Sequence, residues 1–156
     1  ALSVSSQLAE GLLDVAIVTQ TLKHITGRQS PFKSTQKRGK WDLFPNQEDY
    51  VKDVPSYDAF PSGHLATTMM TVTVLAENYP NNAYIKPVGY TAMILLTFQM
   101  LNNEVHWASD YPLAIGIGYS IGKIVSQRER DRAKKGFSLV PKITSNYSGV
   151  ALQYKF

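Results

Sequence analysis

Cysteine is absent from this chain of 156 residues, and long apolar runs are scarce. The missing cysteine excludes disulfides, thiolate metal ligands and a cysteine nucleophile, although it leaves the redox compartment undecided. The two longest apolar runs, Tyr90–Leu101 and Pro112–Ile124, are shorter than the roughly 20 residues that a membrane-spanning helix needs. Each run becomes a marginal span only if a lysine is tolerated. The sequence therefore favours a soluble or peripheral domain over a bundle of membrane spans.

Strong charge of one sign is lacking as well. The formal net charge is +4, and the basic residues concentrate in two stretches, 33–40 and 128–135. In the second stretch Glu129 and Asp131 separate the basic residues, which is typical of a solvated helix end. No nucleic-acid-binding motif is recognisable, so we expect no nucleic-acid partner.

Helical periodicity is the main pattern that the sequence does contain. Apolar residues recur at spacings of three and four, which predicts an all-α fold, an antiparallel bundle of about four long helices. The predicted helices cover about residues 5–25, 62–80, 83–103 and 109–135. Gly27 and Gly136 are the expected stops of the first and the last helix. Three glycines of the last helix are expected to admit a neighbouring helix closely: Gly116, Gly118 and Gly122.

Two segments depart from the helical pattern. Residues 29–60 are polar and show no sustained period, so we expect an inserted loop that forms a rim or lid of the functional site. Apolar residues alternate from Val150 to Phe156, which is a strand period, and Phe137–Ile143 is the expected partner across a turn at Ser145–Gly149. The predicted organisation is a helical domain and a short C-terminal β-hairpin, over residues 1–135 and 136–156.

The stretch Phe60–His64 has the composition of a helix start that binds an anion. Ser62 is a good N-cap, and Gly63 beside it lets an anion approach the backbone. The unpaired N–H groups of a first turn and the positive end of the helix dipole attract negative charge. A capped helix with a surface histidine explains this stretch equally well.

A second candidate pair is His106 and Asp110, which lie at the start of the predicted fourth helix. Four residues of separation allow the carboxylate to accept the N–H of one imidazole nitrogen, which leaves the other nitrogen as a nucleophile or base. A structural histidine bonded to a nearby aspartate is the commoner outcome for any single pair of this kind.

Together these motifs resemble the ordered signatures of the type 2 phosphatidic acid phosphatases, which share a site plan with bacterial class A acid phosphatases and vanadium haloperoxidases. The resemblance runs over about residues 22–116. The matched positions are, in chain order, Lys23 with Pro31, the complete stretch Pro61–His64, and His106 with Asp110.

The resemblance implies a phosphohydrolase that needs neither a metal nor another cofactor. It implies that His106 is the nucleophile that forms a phosphohistidine and that Asp110 orients it. His64 is implied as the acid that protonates the leaving oxygen and then as the base that activates water. Three residues are implied as ligands of the non-bridging phosphate oxygens: Lys23, Ser62 and Gly63.

Two positions depart from the family pattern. Ser30 and Met100 stand where the signatures have arginines. Neither side chain can replace a guanidinium as a bidentate oxyanion clamp, and each loss could cost roughly 10²–10³ in rate. Arg28 is the nearest candidate to take over phosphate binding. The sequence therefore predicts a weak or unusual phosphatase acting on a lipid phosphate or a small phosphate ester.

Several alternatives stay open at this stage. One is a catalytically silent module that binds phosphate or phospholipid, a second is a haloperoxidase, and a third is a zinc site made of His64, His106 and Asp110. His24 has no place in the signatures and is interpreted as structural. Peripheral membrane contact and homo-oligomer formation are both compatible with the sequence. The apolar alternation of the tail is typical of bacterial envelope proteins, so we expect a location in the bacterial periplasm or cell envelope.

Overall fold

A computed structural model of the protein describes residues 2–134, 137–144 and 147–154, with side chains over residues 4–132. The helices are, in chain order, α1 (Leu2–Thr26), α2 (Gln47–Lys52), α3 (Gly63–Asn78), α4 (Ile85–Asn102) and α5 (Tyr111–Lys134). Short 3₁₀ turns cover Pro31–Lys33, Val54–Ser56 and Ala108–Asp110. The predicted predominance of helix is confirmed, and the expected stop at Gly136 lies outside the described residues.

Helix α3 lies at the centre of the core and packs against α1, α4 and α5. Its apolar residues recur at helical spacing and are almost completely buried, as at Leu65, Met70 and Val74. Each such side chain contributes about 1.5–3 kcal/mol of transfer free energy when it leaves water. Val15 of α1 and Val125 of α5 close the same cluster.

Glycines set the distance between α3 and α5. A Cβ atom on Gly118 would lie 2.2 Å from the carbonyl oxygen of Ala66, and one on Gly122 would lie 2.7 Å from the Cβ of Thr73. The predicted close approach is therefore found at these two glycines. At Gly116 the prediction is wrong, because a Cβ there meets nothing within 4 Å. Gly116 is on a different side of the helix from the contact with α3.

The segment 29–60 contains more regular structure than its sequence suggested. Asn46 caps α2 by accepting from the N–H groups of Glu48 and Asp49, whose carboxylates also favour a helix N-terminus. Buried Tyr50 of this helix stacks on His24 of α1, with ring centroids 4.0 Å apart. The segment is therefore docked on the bundle rather than free of it.

After α5 the chain has two strands, β1 (Phe137–Thr144) and β2 (Tyr147–Tyr154), which pair antiparallel with Phe137 opposite Tyr154. The predicted turn includes residues 145–146, which lie outside the described residues, so the hairpin as a unit stays a prediction. None of the helices in the described part of the chain combines the length and the apolar composition that crossing a bilayer takes.

Candidate functional site

The first part of the site is the start of α3. Ser62 is fully buried and caps the helix, because its Oγ accepts from the N–H of Leu65 at 3.4 Å. His64 follows in the first turn, with its side chain partly open to solvent. The backbone N–H of Ser62 donates to the carbonyl of Asp110 at 3.4 Å, so the two predicted motifs are joined directly.

His106 lies next to this helix start. Its ring centroid is 6.1 Å from that of His64, and the two rings are nearly perpendicular. His106 is buried, and its Nδ1 bonds to the carbonyl oxygen of Ala59 at 2.7 Å. A carbonyl only accepts, so Nδ1 carries the hydrogen, and in the neutral imidazole the lone pair is on Nε2. The structure thus brings together the two histidines that the sequence singled out.

Asp110 does not make the hydrogen bond to His106 that its spacing suggested. Its Oδ2 lies 3.7 Å from Nδ1, beyond hydrogen-bonding distance, and instead accepts from the backbone N–H of Trp107 at 2.7 Å. Its Oδ1 accepts from the guanidinium of Arg28. A fully buried carboxylate is stabilised best by a cation and by backbone donors, and here both are closer than the imidazole. The carbonyl of Ala59 orients His106 in its place.

Arg28 is buried beside this carboxylate. Its guanidinium donates to Asp110, to Ser109 Oγ at 2.8 Å and to the carbonyl of Arg38 at 2.9 Å. The rings of Trp41 and Trp107 lie 4.7 and 5.4 Å from its Cζ, within the range of cation–π attraction.

The Nε of Arg28 has no hydrogen-bond partner within the described residues, although it is buried. Arg28 therefore lies beside the predicted site, with most of its donors bonded to protein groups. Binding of phosphate by Arg28 stays a prediction.

The backbone around Arg28 fixes the rest of the site. Residue 28 bridges to Trp41 on one side and to Asp58 on the other, and the carbonyl of Arg28 accepts from the N–H of Ala59 at 2.9 Å. The segment before the helix start is therefore held against the end of α1. This arrangement places the Ala59 carbonyl at His106.

Lys23 reaches the site from α1, but it meets a carboxylate that the sequence analysis did not single out. Its Nζ lies 3.2 Å from Oδ2 of Asp58, and its side chain is only 8% exposed. Asp58 lies 35 residues along the chain from Lys23, so no local spacing could have revealed the pair. The lysine predicted to hold phosphate is thus paired with an acidic side chain.

Burial and neighbouring charges shift the pKa values of two side chains at the site, His64 and Tyr111. Partial burial lowers the pKa of His64 below its usual 6.5, and the neighbouring His106 and Lys23 lower it further, while Asp58 acts in the opposite direction. Tyr111 packs edge-on to His106 at 6.4 Å, and burial followed by the charge of Asp110 raises the pKa of its hydroxyl. Tyr111 therefore remains a neutral hydroxyl in the physiological range.

The two positions that depart from the family pattern are both buried. Met100, in the last turn of α4, lies beside the start of α3, with its sulfur 3.7 Å from Ser62 Oγ. Ser30 is 1% exposed, and its backbone N–H donates to the carbonyl of Pro55 at 3.0 Å. The side chain at position 100 therefore faces the proposed anion site, and here it offers a thioether instead of a cation.

A metal at this site would need His64, His106 and Asp110 to converge. Within the described residues no three histidine or acidic side chains are grouped in a way that could hold a metal ion. Both carboxylate oxygens of Asp110 already accept from Arg28 and Trp107.

Comparison with known proteins places the chain in a family. The family model of the PAP2 superfamily matches residues 6–134, which include every residue of the site described above. No curated protein and no solved structure matches the chain significantly. Because the family model covers most of the chain, the protein belongs to the PAP2 superfamily.

Proposed function

We propose that the protein is a metal-free phosphohydrolase that acts on phosphate esters, lipid phosphates included, through a phosphohistidine on His106. The observation that carries this proposal is the 6.1 Å separation of the His64 and His106 rings beside a capped helix start. Membership of a superfamily of phosphatase-type hydrolases supports the reaction class.

In the proposed first step, Nε2 of His106 attacks phosphorus while the Ala59 carbonyl holds the opposite N–H. The bond from phosphorus to the ester oxygen breaks, and protonated His64 gives its proton to that leaving oxygen. In the second step neutral His64 takes a proton from water, and the resulting oxygen attacks the phosphohistidine. Inorganic phosphate leaves, and His106 regains its lone pair.

The non-bridging oxygens would be held by the N–H groups at the start of α3 and by Lys23. The hydroxyl of Ser62 would join them by turning away from Met100, to which it donates in the free site. Such donors act by stabilising the charge that is spread over these oxygens in the transition state. The Nε of Arg28 is a buried donor without a partner among the described residues, so it is available to an oxyanion. With a thioether at Met100, turnover should be slow by the standard of a site that has an arginine there.

The decisive experiment is the release of inorganic phosphate from a panel of phosphomonoesters and lipid phosphates. The parent should release phosphate, and His106→Ala should release none above background. His24→Ala is the matched control, because His24 stacks on Tyr50 and touches neither ring of the pair. Acid-labile, base-stable phosphate on the parent protein would identify phosphohistidine. Equal release by the parent and His106→Ala would end the proposal.

A second candidate is a silent phosphate-binding member of the same fold. The observation that favours it is that both buried cations of the site, Lys23 and Arg28, are already paired with carboxylates. Saturable binding of phosphate or vanadate without any release from the panel would select this candidate.

A further inference from the structure

The site holds its charges in two pairs. Lys23 lies 3.2 Å from Asp58, and Arg28 donates to Asp110. With both histidines neutral, these four side chains sum to a formal charge of zero. A phosphate monoester carries about two negative charges above its second pKa of about 6. Such a dianion would enter a site without a surplus cation.

The two pairs differ in how they face the site. Asp110 is completely buried and also holds the Trp107 N–H, so it is part of the structural frame. Asp58 keeps 29% of its side chain exposed, and its charge acts on His64, the residue that would meet the leaving group. Asp58 is therefore the negative charge that an incoming anion would meet.

Backbone hydrogen bonds keep the segment that carries Asp58 beside the site. Residue 58 bridges to residue 28, and the next residue donates its N–H to Arg28 and accepts from His106. Moving this backbone would release the carbonyl that orients the proposed nucleophile. The backbone of Asp58 consequently keeps its place beside Lys23 when an anion is bound.

We propose that Asp58 is a specificity-determining residue that, by neutralising Lys23, restricts the site to phosphoryl groups bearing a single negative charge. The proposal rests on the proposed function, because that function gives the location of the bound anion. It adds to that function the charge of the phosphoryl group that the site accepts. A phosphoryl group with one negative charge is either a diester or a protonated monoester.

The binding test uses two inert tetrahedral anions of fixed charge, sulfate with two negative charges and methyl sulfate with one. Dissociation constants are measured by NMR titration at about pH 8, where His64 is neutral because its pKa lies below the usual 6.5. The parent should bind methyl sulfate at least as tightly as sulfate. In Asp58→Asn the ratio should shift towards sulfate by about tenfold or more, which corresponds to about 1.4 kcal/mol.

Two further variants separate charge from structure. Asp58→Glu keeps the charge and should keep the parent's preference. Asp53→Asn makes the same change of net charge in an exposed pair with Lys33, with both side chains more than 40% exposed, and should leave the ratio unchanged. The inference is overturned if Asp58→Asn leaves the ratio unchanged, if Asp53→Asn shifts it equally, or if the parent binds neither anion.

A kinetic arm distinguishes the two sources of a singly charged group. Both substrates are assayed at each pH and compared as a ratio of rates, so that loss of the protonated His64 at higher pH affects both alike. Faster nitrophenol release from bis(para-nitrophenyl) phosphate than from para-nitrophenyl phosphate at about pH 8 would select the diester, since the monoester is a dianion there. A ratio that favours para-nitrophenyl phosphate below about pH 6 would select the protonated monoester. Faster release from the monoester at the higher pH would overturn the inference. The proposed function itself is judged separately, by comparing the parent with His106→Ala in the release of phosphate from a monoester and of nitrophenol from the diester.

Discussion

Arg28 and Asp110 form an ion pair that is buried on both sides, with side chains 5% and 0% exposed, directly behind the proposed nucleophile. The carboxylate that spacing assigned to His106 is thus used to balance a guanidinium from the end of α1. His106 is oriented by a carbonyl instead, at 2.7 Å from its Nδ1. The site therefore combines a hydrogen bond from the proposed nucleophile to a backbone carbonyl with an ion pair that belongs to the fold.

Loss of Arg28 should destabilise the protein strongly. Arg28→Met leaves the Asp110 carboxylate buried without its cation, which should lower the free energy of unfolding by about 3–5 kcal/mol. Arg128→Met removes an exposed arginine that pairs with Glu10 and should cost less than about 1 kcal/mol. Urea denaturation at neutral pH measures both. Similar decreases in the free energy of unfolding for the two variants would mean that the buried pair contributes no more to stability than the exposed one.

Two glycines of α5 offer a matched test of helix packing. Gly118→Ala places a methyl group against the Ala66 carbonyl and should cost about 1–3 kcal/mol through overpacking. Gly116→Ala meets open space and should stabilise the helix by up to about 1 kcal/mol. Thermal denaturation monitored by circular dichroism compares them. The interpretation fails if Gly118→Ala is as stable as the parent.

A cation at position 100 should raise turnover. Met100→Arg brings a guanidinium to the side chain position that now contacts Ser62 Oγ, and it should increase kcat/KM by about 10² through charge stabilisation in the transition state. Met100→Leu keeps a similar size without the charge and should show no such gain. Initial rates on the best substrate of the panel provide the measurement. A folded Met100→Arg protein with the parent's rate would contradict this role for the position.

The pH dependence of kcat/KM should report His64. The residue must be protonated to act as the acid, and its pKa is lowered below 6.5, chiefly by burial, so activity should decline as pH rises through that lowered pKa. Lys23→Met removes a cation that lowers this pKa and should move the decline to higher pH. Asp58→Asn removes a carboxylate that raises it and should move the decline to lower pH. Shifts in the opposite directions would exclude His64 as the titrating acid.

The helix start at Ser62 could be predicted from sequence because its determinants are local. A serine cap bonds three residues ahead, and a histidine in the first turn follows from chain order alone. The same holds for the main helices, whose buried faces repeat at the helical period. Helix α2 escaped that prediction because it has only 6 residues, too few to show a period.

The sequence by itself determined where the long helices lie, where the helix start at Ser62 begins and which two histidines could do chemistry. Only the tertiary structure decided how the charges are paired, Lys23 with Asp58 across 35 residues and Arg28 with Asp110 across 82. The physical reason is that helix propensity and capping act within a turn. The partner of a buried ion, in contrast, is whichever opposite charge the packed chain brings to it.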